Sequence, residues 1–115
     1  MKKELIKFET AKLAKEKGFI IYTDKFYAND KSLRDSTNYD KKIEWLADAP
    51  TQSLLQRWLR VEHKLDVIVS VVYTGDGKRY HCDLFTTYMS SLPSIFKTYE
   101  EAFEEGLQEA LKLIK

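Results

Sequence analysis

A single cysteine, Cys82, stands among 115 residues, so no internal disulfide can form and a cysteine-rich zinc site is excluded. That usage fits a reducing cytoplasm, where thiols stay free. Long apolar runs are also missing. None approaches the roughly 20 residues that span a bilayer, and Met1-Lys2-Lys3-Glu4-Leu5-Ile6-Lys7 is too polar to lead into the apolar core of a signal peptide. A soluble cytoplasmic domain without membrane association is expected. There is no charge surplus either: 19 basic residues meet 18 acidic ones, for a formal net charge of +1. Proteins that grip nucleic acid through its phosphates usually carry a strong basic excess, which makes nucleic acid the less favoured partner. With four glycines and two prolines there is no linker, low-complexity tract or glycine-rich phosphate loop. The length suits one domain, 1–115, with a core of its own.

The strongest local pattern runs from Leu65 to Met89, where two alternating segments flank Thr74-Gly75-Asp76-Gly77-Lys78. Asp-Gly between such segments is a hairpin signal. With Asp76-Gly77 at the turn, Tyr73 faces Tyr80, Val71 faces Cys82, Val69 faces Leu84, Val67 faces Thr86 and Leu65 faces Tyr88. That face is nearly all apolar. The opposite face carries Val72/His81, Ser70/Asp83, Ile68/Phe85 and Asp66/Thr87, and is largely polar.

Around the hairpin the chain alternates between helix and strand signals. Phe8 to Lys17 predicts a short helix, closed by Gly18 in the left-handed conformation with Phe19 folding back on Ala14. Phe19 to Tyr22 and Lys25 to Ala28 favour strand. Asn29 to Asp40 is rich in turn formers and predicts a long surface loop, after which Lys42 to Leu46 favours strand again. Pro50 opens a second helix, where Leu54, Leu55, Trp58 and Leu59 form an apolar stripe ending near His63. Ile95-Phe96-Lys97 is a candidate third strand. Thr98 and Glu101 then have the spacing of a capping box ahead of a stripe running from Tyr99 to Ile114. Glu100, Glu101, Glu104 and Glu105 gather at the positive end of that helix's dipole. The expected fold is α+β, an antiparallel sheet of three to five strands with about three helices on its apolar face.

Few residues carry chemistry. His81 and Cys82 are strand neighbours and point to opposite faces, which leaves Cys82 as a small buried hydrophobe. Ser70, His81 and Asp83 share the outer face, but no strained nucleophile turn or oxyanion loop accompanies Ser70. His63, His81 and Asp83 have no recognised ligand spacing. No catalytic residue, metal or cofactor is assigned, although an enzyme site near His81 and Asp83 remains an alternative. Tyr27, Tyr39 and Trp45 flank the long loop, where binding residues concentrate. Ile68, Val72 and Phe85 form an apolar triangle on the outer hairpin face, the kind of patch that marks an interface.

The succession helix 50–63, strands 65–74 and 79–89, a strand near 95 and helix 98–114 resembles the double-stranded-RNA-binding domain. Such domains carry lysines at the start of the last helix, where this chain has Glu100, Glu101, Glu104 and Glu105, so the likeness is one of topology. A second resemblance is to small uncharacterised proteins of phages and prophages. It rests on Phe8-Glu9-Thr10-Ala11-Lys12-Leu13-Ala14-Lys15-Glu16-Lys17-Gly18-Phe19, on Ala49-Pro50-Thr51-Gln52-Ser53-Leu54-Leu55-Gln56-Arg57-Trp58-Leu59-Arg60, and on Thr98-Tyr99-Glu100-Glu101-Ala102. It implies a setting and brings no active site. The expected function is therefore an accessory protein acting by contact with a protein partner or with itself. The alternative is nucleic-acid binding through Lys2, Lys3, Lys7, Lys12, Lys15 and Lys17.

Overall fold

The computed structural model describes residues 5–19, 25–28, 30–35 and 45–114, with backbone alone at Asp35, Trp45, Leu46 and Asp48. Their fold is α+β. The order is α1 (Phe8–Glu16), β1 (Lys25–Ala28), β2 (Leu33–Asp35), β3 (Trp45–Asp48), α2 (Gln52–His63), β4 (Asp66–Thr74), β5 (Gly77–Phe85), β6 (Met89–Ser91) and α3 (Tyr99–Lys112). The strands divide into two antiparallel sheets, ordered β2-β1-β3 and β4-β5-β6.

Helix ends follow the local chemistry. At the end of α1, Gly18 has φ +99°; its N–H donates to the Lys15 carbonyl, and that of Phe19 to the Ala14 carbonyl. This is the paired closure that only a glycine adopts without steric cost. Helix α2 starts two residues later than Pro50: the hydroxyl of Thr51 accepts the Leu54 N–H at 3.1 Å. Pro50 instead lends its carbonyl to the Ile6 N–H, tying the chain start to the helix entrance. Thr98 caps α3 by accepting the Glu101 N–H at 3.1 Å.

The hairpin forms, but two residues out of the expected register. Val69 pairs with Cys82, Val71 with Tyr80, Tyr73 with Lys78 and Thr74 with Gly77. The turn residues are Gly75 and Asp76, and Gly77 alone of the turn has positive φ, at +110°. A turn centred on Asp76-Gly77 would need positive φ at both positions. Instead a single left-handed glycine, Gly77, follows the two turn residues, and the ladder shows no register shift there. Because the side-chain period is two, a slip of two residues leaves every side chain on its expected face. It does change who sits opposite whom.

Three further expectations are corrected. The stretch 29–40 is not all loop, because Leu33–Asp35 pairs with β1. The Asp30 carboxylate accepts the Ser32 N–H at 3.0 Å, and Lys31 takes φ +70°, which folds the chain back within a few residues. The third strand of the larger sheet is Met89–Ser91, while Phe96 contributes one isolated bridge to Tyr80. Strand β5 stops at Phe85, so Thr86 and Tyr88 close a tight turn instead of pairing with Val67 and Leu65. The strand expectations at residues 20–22 and 42–44, and the loop at 36–40, lie outside the described residues.

All three helices contribute to one core with the inner face of the larger sheet. Val67, Cys82 and Leu84 are buried there beneath Phe103, Leu107, Ala110 and Leu111 of α3. Leu55, Trp58 and Leu59 of α2 continue the core, and Phe19 meets Trp58 edge-on with ring centroids 5.3 Å apart. Full burial of a side chain such as Leu107 or Leu111 stabilises by roughly 1.5–3 kcal/mol. The tip of the hairpin runs past the helices, which leaves Val71 and Tyr73 exposed on the same face. Tyr73 and Tyr88 are thus surface residues, although the alternation placed them on the apolar side.

Candidate functional site

The new register rearranges the outer face of the β4-β5-β6 sheet. Phe85 stands directly across from Met89 on β6 and from Asp66 on β4, with Ile68 on the diagonal. Phe85, Met89 and Ile68 are all exposed and form one apolar cluster at the base of the hairpin. Val72, the third corner of the expected triangle, pairs with Arg79 and is half-buried. It lies four residues along β4 from Ile68, about 13 Å at strand rise. The sequence pattern makes Met89 the last residue of the second hairpin strand, four residues beyond Phe85, and so does not set the two side by side.

Between the apolar cluster and Val72 runs a polar strip. Ser70 is opposite His81, and Asp83 is opposite Ile68 on one side and Ser91 on the other. His81 Nε2 lies 3.3 Å from Asp83 Oδ2, and Ser91 Oγ donates to Asp83 Oδ1 at 2.7 Å. A nucleophile–base–acid relay needs the serine hydroxyl on the imidazole. Here the bonded hydroxyl is that of Ser91, and it reaches the carboxylate. Among the described residues no hydrogen bond joins Ser70 to His81. The strip can orient polar groups on a partner, and it lacks the order of a catalytic triad.

Cys82 points the other way. It is fully buried against Gly106 and Val67, and burial, with the nearby Asp83 charge, pushes its thiol up to about 11. A thiol held protonated in the core is a poor nucleophile. His63 sits at the end of α2 with its ring edge-on to Trp58, on a different element from His81 and Asp83. Among the described residues, no three His, Cys, Asp or Glu side chains could hold a metal ion.

The loop aromatics do not assemble into a described surface. Tyr27 is half-buried; its hydroxyl donates to the Ile6 carbonyl at 2.7 Å, and its ring meets Phe8 edge-on. Trp45 pairs through its backbone with Ala28, and Tyr39 lies outside the described residues. Of the lysines of the alternative reading, Lys7, Lys12, Lys15 and Lys17 lie on or beside α1, and Lys17 Nζ donates to the Ile114 carbonyl at 2.7 Å. Lys2 and Lys3 are outside the described residues.

Glu104 is a residue that sequence reasoning misplaced. The sequence pattern groups it with Glu100, Glu101 and Glu105 at the start of α3, yet only 4% of it is exposed. Its Oε2 accepts the Lys7 N–H at 2.9 Å and the Thr10 hydroxyl, and its Oε1 accepts Gln52 Nε2 at 3.0 Å. Gln108 Nε2 in turn donates to Thr10 Oγ1 at 2.8 Å. The carboxylate accepts the N–H of α1's cap residue Lys7, the bond that a capping-box carboxylate makes from within its own helix, next to the positive end of that helix's dipole. Its charge, together with burial, raises the Tyr27 phenol above its usual range, burial being the larger cause. A buried carboxylate on an amphipathic stripe is a signal that the periodicity contained. Its partners, tens of residues away, were not in the pattern.

A shallow groove of about 620 Å³ opens between the end of α2, the β5–β6 turn and the end of α3, lined by His63, Leu65, Leu84, Thr86, Tyr88 and Leu113 among others. Among the described residues no helix is long and apolar enough to cross a membrane. No family model, curated protein or solved structure matches the chain.

Proposed function

We propose that the chain is a non-catalytic interaction module of the accessory kind found in phages and prophages, binding a protein partner through the outer face of its larger sheet. The observation that carries this reading is the exposed cluster of Phe85, Met89 and Ile68 on three adjacent strands. It is flanked by the His81–Asp83–Ser91 strip. Contiguous apolar surface bordered by polar groups is the usual anatomy of a docking patch. The side chains project from a hydrogen-bonded sheet, so little ordering entropy opposes their engagement.

The test is capture of a partner by the tagged full chain from host lysate, with and without nuclease, beside a Phe85→Ser/Met89→Ser double variant. Both residues are exposed, so the variant should keep the wild-type circular dichroism. The reading requires a protein retained after nuclease and lost with the double variant. Retention by the variant counts against the outer face. Loss on nuclease treatment moves the assignment to nucleic acid.

A further inference from the structure

The free edge of β4 has an unusual composition. From Val67 to Thr74 it reads Val-Ile-Val-Ser-Val-Val-Tyr-Thr, with no charge, proline or glycine, and its register against β5 runs without a bulge. Natural sheets blunt exposed edges with lysine, proline, bulges or short length. This edge uses none of them. Among the described residues no strand pairs with it, whereas β5 is covered on its far side by β6, Leu92 and Phe96.

The direction of its backbone groups follows from the far side of β5. Tyr80 exchanges both backbone bonds with Phe96, and the Cys82 carbonyl accepts the Leu92 N–H. Their partners on β4, Val71 and Val69, are therefore at non-hydrogen-bonded positions of the hairpin, and their own N–H and C=O groups point outward. By alternation the same holds for Val67 and Tyr73. The Val67 carbonyl is already taken by Gln56 Nε2 at 2.6 Å. Among the described residues, what remains open is Val69, Val71 and Tyr73, a set symmetric about Val71.

We propose that this edge pairs with the same edge of a second copy of the chain, antiparallel about a two-fold axis at Val71. Val69 then meets Tyr73 of the copy and Val71 meets its own counterpart, each pair exchanging both N–H···O bonds. The two three-stranded sheets become one of six strands, and the exposed Val71 (47%) and Tyr73 (79%) gain cross-strand apolar neighbours. No charged side chain is buried, because this stretch carries none. A two-fold axis requires a self-complementary patch, and an edge whose open groups mirror one another about one residue meets that requirement. The proposal extends the reading of this sheet as an interaction surface but uses its edge, not its outer face.

The test is sedimentation equilibrium of the full chain over a concentration series up to the solubility limit. The wild type should reach twice the 13.5 kDa chain mass. Val71→Lys and Val71→Glu should each remain monomeric alone, since the axis sets like charges side by side, and dimerise when mixed in equal amounts. Val71→Pro removes an N–H that the monomer does not use, which an edge strand tolerates, and should be monomeric with wild-type circular dichroism. Phe85→Ser/Met89→Ser should stay dimeric, so failure of partner binding and failure of self-pairing are told apart. A wild type that is monomeric at every concentration overturns the proposal. So does a dimer that survives V71K and V71P, or a mixture of V71K and V71E that stays monomeric.

Discussion

Gly106 of α3 sits directly on Cys82 of β5: a Cβ built on the glycine would run into the Cys82 Sγ and lie 2.9 Å from the Val67 Cγ1. The helix backbone thus approaches the sheet as closely as two chains allow. The glycine serves this contact and not a turn, for it lies inside the α3 helix.

Gly106→Ala should therefore destabilise the fold even though alanine is the better helix former by about 1 kcal/mol. Overpacking of a tight core costs about 1–3 kcal/mol, so a net loss is expected in the urea midpoint. Cys82→Ala removes the clashing sulfur, and the double variant should lose less than the sum of the two single changes. Strict additivity would mean that the helix simply moves away.

Glu104→Gln tests the buried knot. The amide places two donors where the Lys7 N–H, the Thr10 hydroxyl and the Gln52 amide already donate, so at least one donor loses its acceptor. A buried donor without an acceptor costs about 1–3 kcal/mol. Chemical denaturation should show a loss of that size, and Glu101→Gln, at an exposed position of the same helix, should show much less.

Alkaline pH should weaken the fold. Cys82 titrates near 9.0 in an unconstrained chain and is raised to about 11 here, and the Tyr27 phenol is raised as well. Each group releases its proton more readily when unfolded. The stability they contribute is therefore complete below pH 9 and is lost as pH climbs toward about 11. Cys82→Ala should flatten part of that slope in thermal melts run from pH 8 to 11. An unchanged slope would assign it to other groups.

The turn makes an asymmetric prediction for its two glycines. Gly77 has φ +110°, whereas a Cβ on Gly75 meets nothing within 4 Å and its φ is not positive. Gly77→Ala should cost about 1 kcal/mol or more, while Gly75→Ala should be neutral or slightly stabilising by limiting the unfolded chain. Equal effects at both positions would mean that Gly75, too, takes a left-handed conformation.

The ends of α1 and the start of α3, the faces of the hairpin and the α+β class could be read from the sequence because each depends on neighbours a few residues away. Gly18 with Phe19, and Thr98 with Glu101, are local chemistry. The register was not legible to the residue, since a slip of two preserves the alternation that reveals the strands. The pairing of Met89 with Phe85 escaped because a three-residue strand has too short a period to announce itself. Glu104 escaped for a different reason: its partners, Lys7, Thr10 and Gln52, come from two other helix starts, and only the assembled fold brings them together. The outer cluster was partly visible through Ile68 and Phe85; Val72 shares their face but lies four residues along β4 from Ile68, a separation that holds in either register.

The Glu104 knot has a consequence for the living chain. Its hydrogen bonds join residues 97 and 94 positions apart, so the start of the first helix receives an acceptor from the last helix made. A nine-residue helix is too short to persist alone in water. During synthesis α1 therefore lacks this acceptor until α3 has emerged. Contacts of such long reach slow folding, and a polypeptide ending before Glu104 would leave the Lys7 N–H and the Thr10 hydroxyl without it.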